Sequence, residues 1–192
     1  MADTRLILAS GSPRRQELLR SLGIEFDVRP ADVDETPFPD EDPVDYVARL
    51  ATTKAMVAAG VGELVLAADT TVTLDGRILG KPTDADDAIA MLHLLRGRTH
   101  QVHTGVALQH GDGGELRVEV DTAEVVMDDV SSDVIAWYVS TGEPMDKAGS
   151  YGLQGIGGML VSEIRGNPQT VIGLPMTIVR DWLWRHRPNV SQ

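Results

Sequence analysis

Two hydroxyls and two guanidinium groups lie close together near the start of the chain, in the segment Ser-Gly-Ser-Pro-Arg-Arg at positions 10–15. Ser12 suits the N-cap of a helix, and Pro13 suits its first position. A helix N-terminus presents unpaired backbone N–H groups and about half a positive charge, so it attracts phosphate. Four side chains could add hydrogen bonds to the oxygens of a polyphosphate: Ser10, Ser12, Arg14 and Arg15. The alternative is a capped helix whose arginines are merely solvated.

Asp69 follows an apolar, strand-like run at positions 64–68. In open α/β sheets, ligands gather beyond the carboxyl ends of the strands. A carboxylate there can act as a general base towards water or as a ligand of a divalent metal. It can equally cap the turn that follows the strand, since Asp often begins turns. All three interpretations remain open at this point.

A lysine interrupts the apolar stripe of the second predicted helix, which begins at Asp42-Pro43. Val47, Leu50 and Lys54 are spaced at i, i+3 and i+7, so they fall on one face of that helix. Because a buried ammonium group needs a polar partner, this spacing predicts that the inner face of the helix ends at a polar cavity.

The triplet Gly80-Lys81-Pro82 follows a hairpin-type turn at Asp75-Gly76. It is superficially similar to a phosphate-binding P-loop. The glycine spacing differs, however, and Pro82 stands where that motif needs Ser or Thr, so we exclude a P-loop. Lys81 is then either a single charge that contacts a phosphate or a solvated loop lysine.

Five glycines lie within residues 149–158, a density typical of tight turns or of backbone that closely approaches a ligand. The dinucleotide-binding fingerprint does not fit, because Gly155-Ile156-Gly157 lacks its third glycine and its strand–helix context. Gln154 could read the edge of a nucleic base, since its amide offers a donor beside an acceptor. The alternative is a flexible surface loop.

These segments need secondary structure to position them, and the apolar pattern predicts it. Strands are predicted at 5–9, 64–68, 72–74, 78–79, 100–109 and 116–127, and helices from Ser12, Asp42, Thr83, Ser131 and Pro175. Strands and helices interleave while some neighbouring strands form hairpins. The prediction is therefore an α/β fold with a mixed sheet.

Composition excludes several classes of protein. The chain has no cysteine, so disulfide scaffolds, thiolate zinc sites and cysteine nucleophiles are ruled out. The formal net charge of −12 repels nucleic acid and anionic membranes. No apolar run approaches the ~18 residues of a membrane span, and we expect a cytoplasmic protein. The histidines show no metal-ligand spacing and are expected on surfaces.

Several stretches, in order along the chain, resemble the Maf family of nucleotide pyrophosphatases. The matching positions are 8–19, Ala68-Asp69-Thr70, Gly80-Lys81-Pro82, 146–155 and Gly173-Leu174-Pro175. The resemblance covers nearly the whole chain and implies one Maf-like domain over residues 1–192. It also implies a twisted mixed sheet flanked by helices, with a central nucleotide-binding cleft similar to that of inosine-triphosphate pyrophosphatases.

The resemblance implies that a nucleoside triphosphate is hydrolysed to the monophosphate and pyrophosphate, with Mg²⁺ or Mn²⁺ as the cofactor. Asp69 matches the family's proton acceptor, and Glu35 matches a further acidic residue. We expect Glu35 and Asp69 to hold the metal, with Asp34 as another candidate, because hard divalent ions prefer carboxylate oxygen. The residues that match the family's phosphate-binding groups are Arg14, Arg15, Lys54 and Lys81.

Three positions match those that set base preference in the family: Arg14, Thr70 and Gln154. The subgroup that acts on dTTP and UTP carries Arg, Thr and Gln there, whereas the 7-methyl-GTP subgroup carries Gln after the catalytic Asp and Glu in the glycine-rich segment. We therefore expect a homodimeric dTTP/UTP pyrophosphatase that also accepts modified pyrimidine triphosphates. The alternatives are a 7-methyl-GTP pyrophosphatase and a nucleotide-sensing cell-division inhibitor without significant turnover.

Overall fold

The computed structural model describes residues 5–111 and 113–186, except for the side chains of residues 185 and 186. The chain divides into two compact units. Unit 1 comprises Met1–Asp69, Thr104–Asp121 and Gly173–Gln192, and unit 2 comprises Thr70–His103 and Thr122–Ile172. The divisions fall inside three long strands, so each of these strands continues from one unit into the other.

Within the described residues, one seven-stranded sheet has the order β2-β1-β3-β5-β6-β7, with β4 paired to β3. Its strands are β1 (Arg5–Leu8), β2 (Asp27–Val28), β3 (Glu63–Leu74), β4 (Arg77–Leu79), β5 (Thr99–His110), β6 (Leu116–Met127) and β7 (Val161–Arg165). β1 pairs in parallel with β2 and β3, whereas β4 is antiparallel to β3 and β7 is antiparallel to β6. The prediction of a mixed α/β fold is confirmed.

Helices precede or follow most of these strands. The described α-helices are α1 (Pro13–Arg20), α2 (Pro43–Ala58), α3 (Ala85–Leu95), α4 (Ser132–Ser140), α5 (Pro168–Ile172) and α6 (Met176–His186), and 3-10 turns occur at Glu143–Asp146, Ala148–Ser150 and Ile156–Leu160. None of the described helices has both the length and the apolar character that crossing a membrane requires.

Two helix boundaries show how side chains decide where a helix starts. The third helix begins at Ala85 and not at Thr83 as predicted, because the Asp84 carboxylate accepts a hydrogen bond from the Asp87 backbone N–H at 2.9 Å. Ser131 caps α4 as predicted, by accepting from the backbone N–H of Val134. The short helix α5 has too few residues to show a helical apolar period, so the sequence pattern does not predict it.

In unit 1, the strands bury side chains on both faces of the sheet. Leu8 and Leu66 pack with Trp182 of α6 and Leu19 of α1 in one apolar cluster. The intervening residues belong to a second cluster with the small side chains of α2, namely Ile7, Ala9, Val65, Ala67, Ala51, Ala55 and Ala58. Such two-sided burial explains why these strands are continuously apolar instead of alternating.

The backbone of α2 lies directly against β5 in unit 1. A Cβ added at Gly105 would lie 2.4 Å from the carbonyl oxygen of Val47 and 3.0 Å from the backbone nitrogen of Ala48. Only glycine leaves room for this contact, so residue 105 sets how closely α2 approaches the sheet.

Unit 2 has its own core, to which Leu92, Val125 and Tyr138 contribute. The expectation that the histidines lie on surfaces is wrong for His100 and His103, which are 2% and 5% exposed. Three of their four ring nitrogens have partners inside the unit: His100 Nε2 lies 2.7 Å from the Tyr151 hydroxyl, and His103 lies between the hydroxyls of Thr73 and Thr122. The Nδ1 atom of His100 is buried without a hydrogen-bond partner among the described residues. Burial lowers the pKa of His100 to about 4, so the ring is neutral at physiological pH.

Candidate active site

Asp69 lies within β3, not at the end of a strand as the sequence predicted. The parallel pairing of β3 with β1 stops where Leu8 meets Leu66. The strand nevertheless continues to Leu74, because residues 70–73 are all β-branched and pairing with β4 resumes at Val72. Asp69 therefore lies just past the carboxyl end of β1, where a side chain is no longer flanked by that neighbouring strand.

Lys54 joins two of the acidic residues of unit 1 that the sequence singled out, Glu35 and Asp69. Its ammonium Nζ lies 2.6 Å from Asp69 Oδ1 and 2.5 Å from Glu35 Oε1. The residue is 8% exposed on the inner face of α2, which also carries Leu50 and three buried alanines. The lysine on the apolar stripe thus has the polar partners that its burial requires.

Opposing effects act on the ionisation of Asp69. Burial raises the pKa of this carboxyl, because a charge is poorly solvated in the interior, while Lys54 and then Arg15 act to lower it. The net direction is upward. A carboxyl with a raised pKa binds a proton more readily than an ordinary aspartate, which suits a group that accepts a proton from water.

Arg15 is held by a network at the head of α1. Its Nε donates to the carbonyl oxygen of Gly173 at 2.7 Å, and its Nη1 donates to Ser10 Oγ at 3.1 Å. Burial lowers the pKa of Arg15, whereas the charge of Asp69 acts to raise it, so the guanidinium and this carboxylate interact within unit 1. The fold thereby brings Arg15 close enough to interact with Asp69, although 54 positions separate them along the sequence.

The N-terminus of α1 differs in one detail from the prediction. Ser12 occupies the N-cap position and Pro13 the first helical position, but the Ser12 side chain makes no capping hydrogen bond. Instead, the Ser12 backbone N–H donates to Ser10 Oγ at 3.3 Å, and Ser10 is the more buried of the two serines. Arg14 is half-buried on the same turn.

Thr70, Lys81 and Gln154 belong to unit 2. Thr70 is half-buried on β3, and Lys81 is exposed in the turn after β4. The carbonyl oxygen of Gly80 accepts a hydrogen bond from the Gly149 backbone N–H at 3.0 Å, which ties the Lys81 turn to the glycine-rich segment.

The glycine-rich segment is anchored and is not a loose surface loop. The Glu143 carboxylate accepts hydrogen bonds from the backbone N–H groups of Ile156 and Gly157 at 2.9 and 2.8 Å, and from the Tyr138 hydroxyl at 3.1 Å. Just before this anchor, the Oε1 atom of Gln154 is buried without a hydrogen-bond partner among the described residues. Buried polar atoms usually have a hydrogen-bond partner, and a donor group of a ligand would supply one here.

The two carboxylates fit a divalent cation in part. No group of three or more His, Asp or Glu side chains in the described part of the chain forms a metal cage. Magnesium is nevertheless commonly held by one or two carboxylates together with substrate phosphates, and Glu35 and Asp69 supply that number of hard oxygen ligands. The Oδ1 atom of Asp34, the other candidate, accepts from the Thr36 backbone N–H at 2.9 Å, and its second oxygen is the one that could bind a cation.

Sequence reasoning missed the residues that hold Glu35 in place. The Tyr46 hydroxyl donates to the Glu35 carbonyl oxygen at 2.9 Å, and Arg49 contacts the same loop from the next turn of α2. The sequence did hold a signal for these contacts, since one helix carries Tyr46, Arg49 and Lys54. Only Lys54 interrupted the apolar stripe, so only Lys54 was singled out.

The chain shares its α/β fold with a protein of known structure. The Ham1 protein of Staphylococcus aureus superposes with a TM-score of 0.59 at 15% identity, covering 95% of this chain and all of that one. The sequence profile described as Maf-like protein matches residues 5–186. The chain belongs to the Maf family.

Curated relatives match across almost the full chain. A protein of Anaeromyxobacter dehalogenans strain 2CP-C is 52% identical over 175 residues, which are 90% of this chain and 89% of that protein. A protein of Myxococcus xanthus strain DK1622 is 51% identical over 176 residues, with 91% and 88% covered. Both relatives are named dTTP/UTP pyrophosphatase.

Proposed function

We propose that this chain hydrolyses dTTP and UTP to the nucleoside monophosphate and pyrophosphate. The proposal rests on sequence identity: relatives named dTTP/UTP pyrophosphatase are about 50% identical to this chain over about 90% of both sequences. The contact of the buried Lys54 with Asp69 and Glu35 supports it, because this group supplies a proton acceptor beside a fixed positive charge.

In the proposed reaction, a water oxygen attacks the α-phosphorus while the bond to the bridging oxygen breaks and pyrophosphate leaves. Asp69 accepts the proton of the water, or shares in holding the metal, and Lys54 orients its carboxylate. Arg14 and Arg15 contact the phosphates, whose departing end gains negative charge as the bond breaks. The roles of Ser10 and Ser12 in phosphate binding follow from their place at the head of α1.

A divalent cation, Mg²⁺ or Mn²⁺, is part of the proposal. Glu35 and Asp69 would hold it, and when bound it would neutralise phosphate charge and polarise the reacting phosphoryl group. The roles of Lys81 as a phosphate contact, and of Thr70 and Gln154 in base selection, rest on the family resemblance. The buried acceptor of Gln154 supports the last of these.

We also propose a cytoplasmic homodimer that does not bind nucleic acid. The net charge of −12 opposes binding to nucleic acid. The dimer rests on the family resemblance alone. Sedimentation equilibrium tests it, because a monomer has a mass of 20.7 kDa.

A panel of triphosphates with resolution of the products tests the proposed activity. We expect pyrophosphate, and not orthophosphate, from dTTP and UTP when Mg²⁺ or Mn²⁺ is present. A preference for 7-methyl-GTP would contradict the pyrimidine assignment. Tight binding of nucleotide without turnover would contradict the enzyme and favour a nucleotide sensor.

A further inference from the structure

The loop that carries Glu35 is fastened to α2 by a group of side chains centred on Arg49. We call this group the Arg49 clamp, and it consists of Phe38, Glu41, Tyr46 and Arg49. Arg49 binds Glu41 through two parallel hydrogen bonds, from Nε at 2.6 Å and from Nη2 at 2.7 Å. Its guanidinium lies 4.1 Å from the centre of the Phe38 ring and 5.5 Å from that of Tyr46. Two hydrogen bonds and two aromatic faces thus fix one cation.

The clamp holds the backbone of the loop next to Glu35. Arg49 Nη2 donates to the carbonyl oxygen of Thr36 at 3.3 Å, and the Tyr46 hydroxyl donates to that of Glu35 at 2.9 Å. The Glu41 carboxylate in turn accepts from the Phe38 backbone N–H at 2.9 Å. Two consecutive carbonyls, at positions 35 and 36, are therefore bound to side chains of α2, the helix that also carries Lys54.

The loop has no regular secondary structure of its own. Residues 29–38 form no helix or strand, and the Glu35 side chain is 44% exposed even though its carboxylate reaches Lys54. Where a loop has no backbone ladder, side-chain bonds to its carbonyls decide where it lies. The Glu41 side chain is only 8% exposed, so loss of Arg49 would leave this carboxylate without its cationic partner and would favour a move of this part of the loop towards solvent.

We propose that Arg49 is a positioning residue that acts through Glu35, a role that rests on the proposed pyrophosphatase activity. The clamp keeps the Glu35 carboxylate against the Lys54 ammonium and next to Asp69. Arg49 need not contact the nucleotide, because its whole effect passes through the place of one acidic side chain.

A double-mutant cycle tests this inference, since residues that act through one another are not additive. We expect Arg49→Met and Glu35→Gln each to lower kcat on UTP by about 10- to 100-fold, the cost of a displaced group. The double variant should be no slower than Glu35→Gln alone. Arg165→Met is the matched control, because it removes an exposed arginine that pairs with Glu163, and it should keep the wild-type rate.

A second variant and a second readout guard against a variant that fails to fold. Tyr46→Phe removes only the hydroxyl that binds the Glu35 carbonyl, and in the same cycle with Glu35→Gln it should also be non-additive. Hydrogen exchange, followed by mass spectrometry, should be faster at positions 34–41 in Arg49→Met and Tyr46→Phe than in the wild type and in Arg165→Met.

The outcomes separate the positioning role from the activity. Multiplicative losses in the double variants, wild-type turnover of Arg49→Met or of Glu35→Gln, or unchanged exchange at positions 34–41 would each overturn the inference. A wild-type protein that releases no pyrophosphate would overturn the proposed function instead. The exchange measurement would still report whether the clamp holds the loop.

Discussion

Lys54 affects the site both by its own positive charge and by offsetting the negative charges of Asp69 and Glu35. Two carboxylates within 2.6 Å of one ammonium leave the group of Lys54, Asp69 and Glu35 with a formal charge of −1 when all three are ionised. Asp69 is the most buried of the carboxylates there, with a side-chain exposure of 10% against 44% for Glu35. The raised pKa of Asp69 shows that, even with this partner, burial outweighs attraction.

Replacement of Asp69 by asparagine tests its role as a base. Asparagine has nearly the same shape but accepts no proton, so we expect Asp69→Asn to lower kcat on UTP by about 10²–10⁴-fold. Steady-state kinetics with the pyrophosphate product measured would show this. Asp181→Asn, at an exposed aspartate that pairs with Arg180, is the control and should keep full activity. Near-wild-type turnover of Asp69→Asn would remove this carboxylate from the mechanism.

Loss of Lys54 should destabilise the fold in a pH-dependent way. Lys54→Met leaves the buried Asp69 carboxylate without its main partner, which costs about 3 kcal/mol when that carboxylate is ionised. Because Lys54 acts to lower the pKa of Asp69, its removal raises that pKa further. A carboxyl whose pKa is raised on folding binds a proton more tightly in the native state, so the cost shrinks as pH falls.

Denaturant unfolding of this variant should therefore differ more from wild type at about pH 8 than at about pH 5. The double variant Lys54→Met/Asp69→Asn should recover part of the lost stability, since no buried charge remains at position 69. A loss in free energy of unfolding that does not vary with pH would contradict this explanation.

Gln154 is the residue whose replacement should change selectivity more than rate. Gln154→Glu replaces the amide by a carboxylate, which accepts but cannot donate when ionised. We expect the order of preference among triphosphates to change more than kcat on the best substrate does. The panel used for the wild type measures this, and an unchanged order would refute a role of Gln154 in base recognition.

At the scale of elements, α2 is the helix that organises unit 1. It supplies Lys54 to the carboxylates, Tyr46 and Arg49 to the Glu35 loop, and a face of small alanines to the sheet. Its distance from β5 is set at Gly105, where the two backbones meet. The position of the ammonium relative to Asp69 therefore depends on a residue that has no side chain.

A methyl group at position 105 tests this dependence. Gly105→Ala places a Cβ 2.4 Å from the Val47 carbonyl oxygen, so the helix must move. We expect a loss of about 1–3 kcal/mol in the free energy of unfolding, together with a lower kcat. Gly80→Ala is the control for stability, because an added Cβ there meets nothing within 4 Å. Equal stability of the two variants would show that α2 tolerates the shift.

At the scale of the whole molecule, three strands run through both compact units. β3, β5 and β6 each cross a division, at residues 69–70, 103–104 and 121–122 respectively. A strand loses its hydrogen-bond partners along its length when the sheet melts, so melting in one unit should propagate along these strands into the other. The sequence-based prediction of one domain over residues 1–192 thus has a direct thermodynamic test.

Unfolding should follow a single transition whichever unit is observed. Trp182 is buried in unit 1 and Trp137 lies in unit 2. Two variants report each unit by fluorescence if each keeps one of these two residues as its single tryptophan, with Trp184 replaced in both. For a single domain, both curves and the circular dichroism should coincide. Separate midpoints for the two tryptophans would contradict a single domain.

Much of the fold could be predicted from local patterns, because these patterns reflect local physics. Pro13 and Pro43 mark helix starts through their fixed φ, Asp75-Gly76 marks the β3–β4 hairpin through its positive φ values, and β6 has the predicted bounds. The prediction that β3 ends at residue 68 was wrong, since the polar Asp69-Thr70-Thr71 looked like the start of a turn. The continuation of β3 beyond residue 68 depends on pairing with β4, which lies further along the chain.

The sequence by itself determined which side chains carry chemistry: the hydroxyls and arginines at 10–15, the lysine at 54 and the carboxylate at 69. Residue type and spacing are enough for that, because acidity, charge and helix capping belong to single residues and their nearest neighbours. Only the tertiary structure decided that Lys54 lies between Asp69 and Glu35, and that Arg49 holds the loop beside them. Those contacts join residues far apart along the chain, and their geometry follows from packing that no local pattern records.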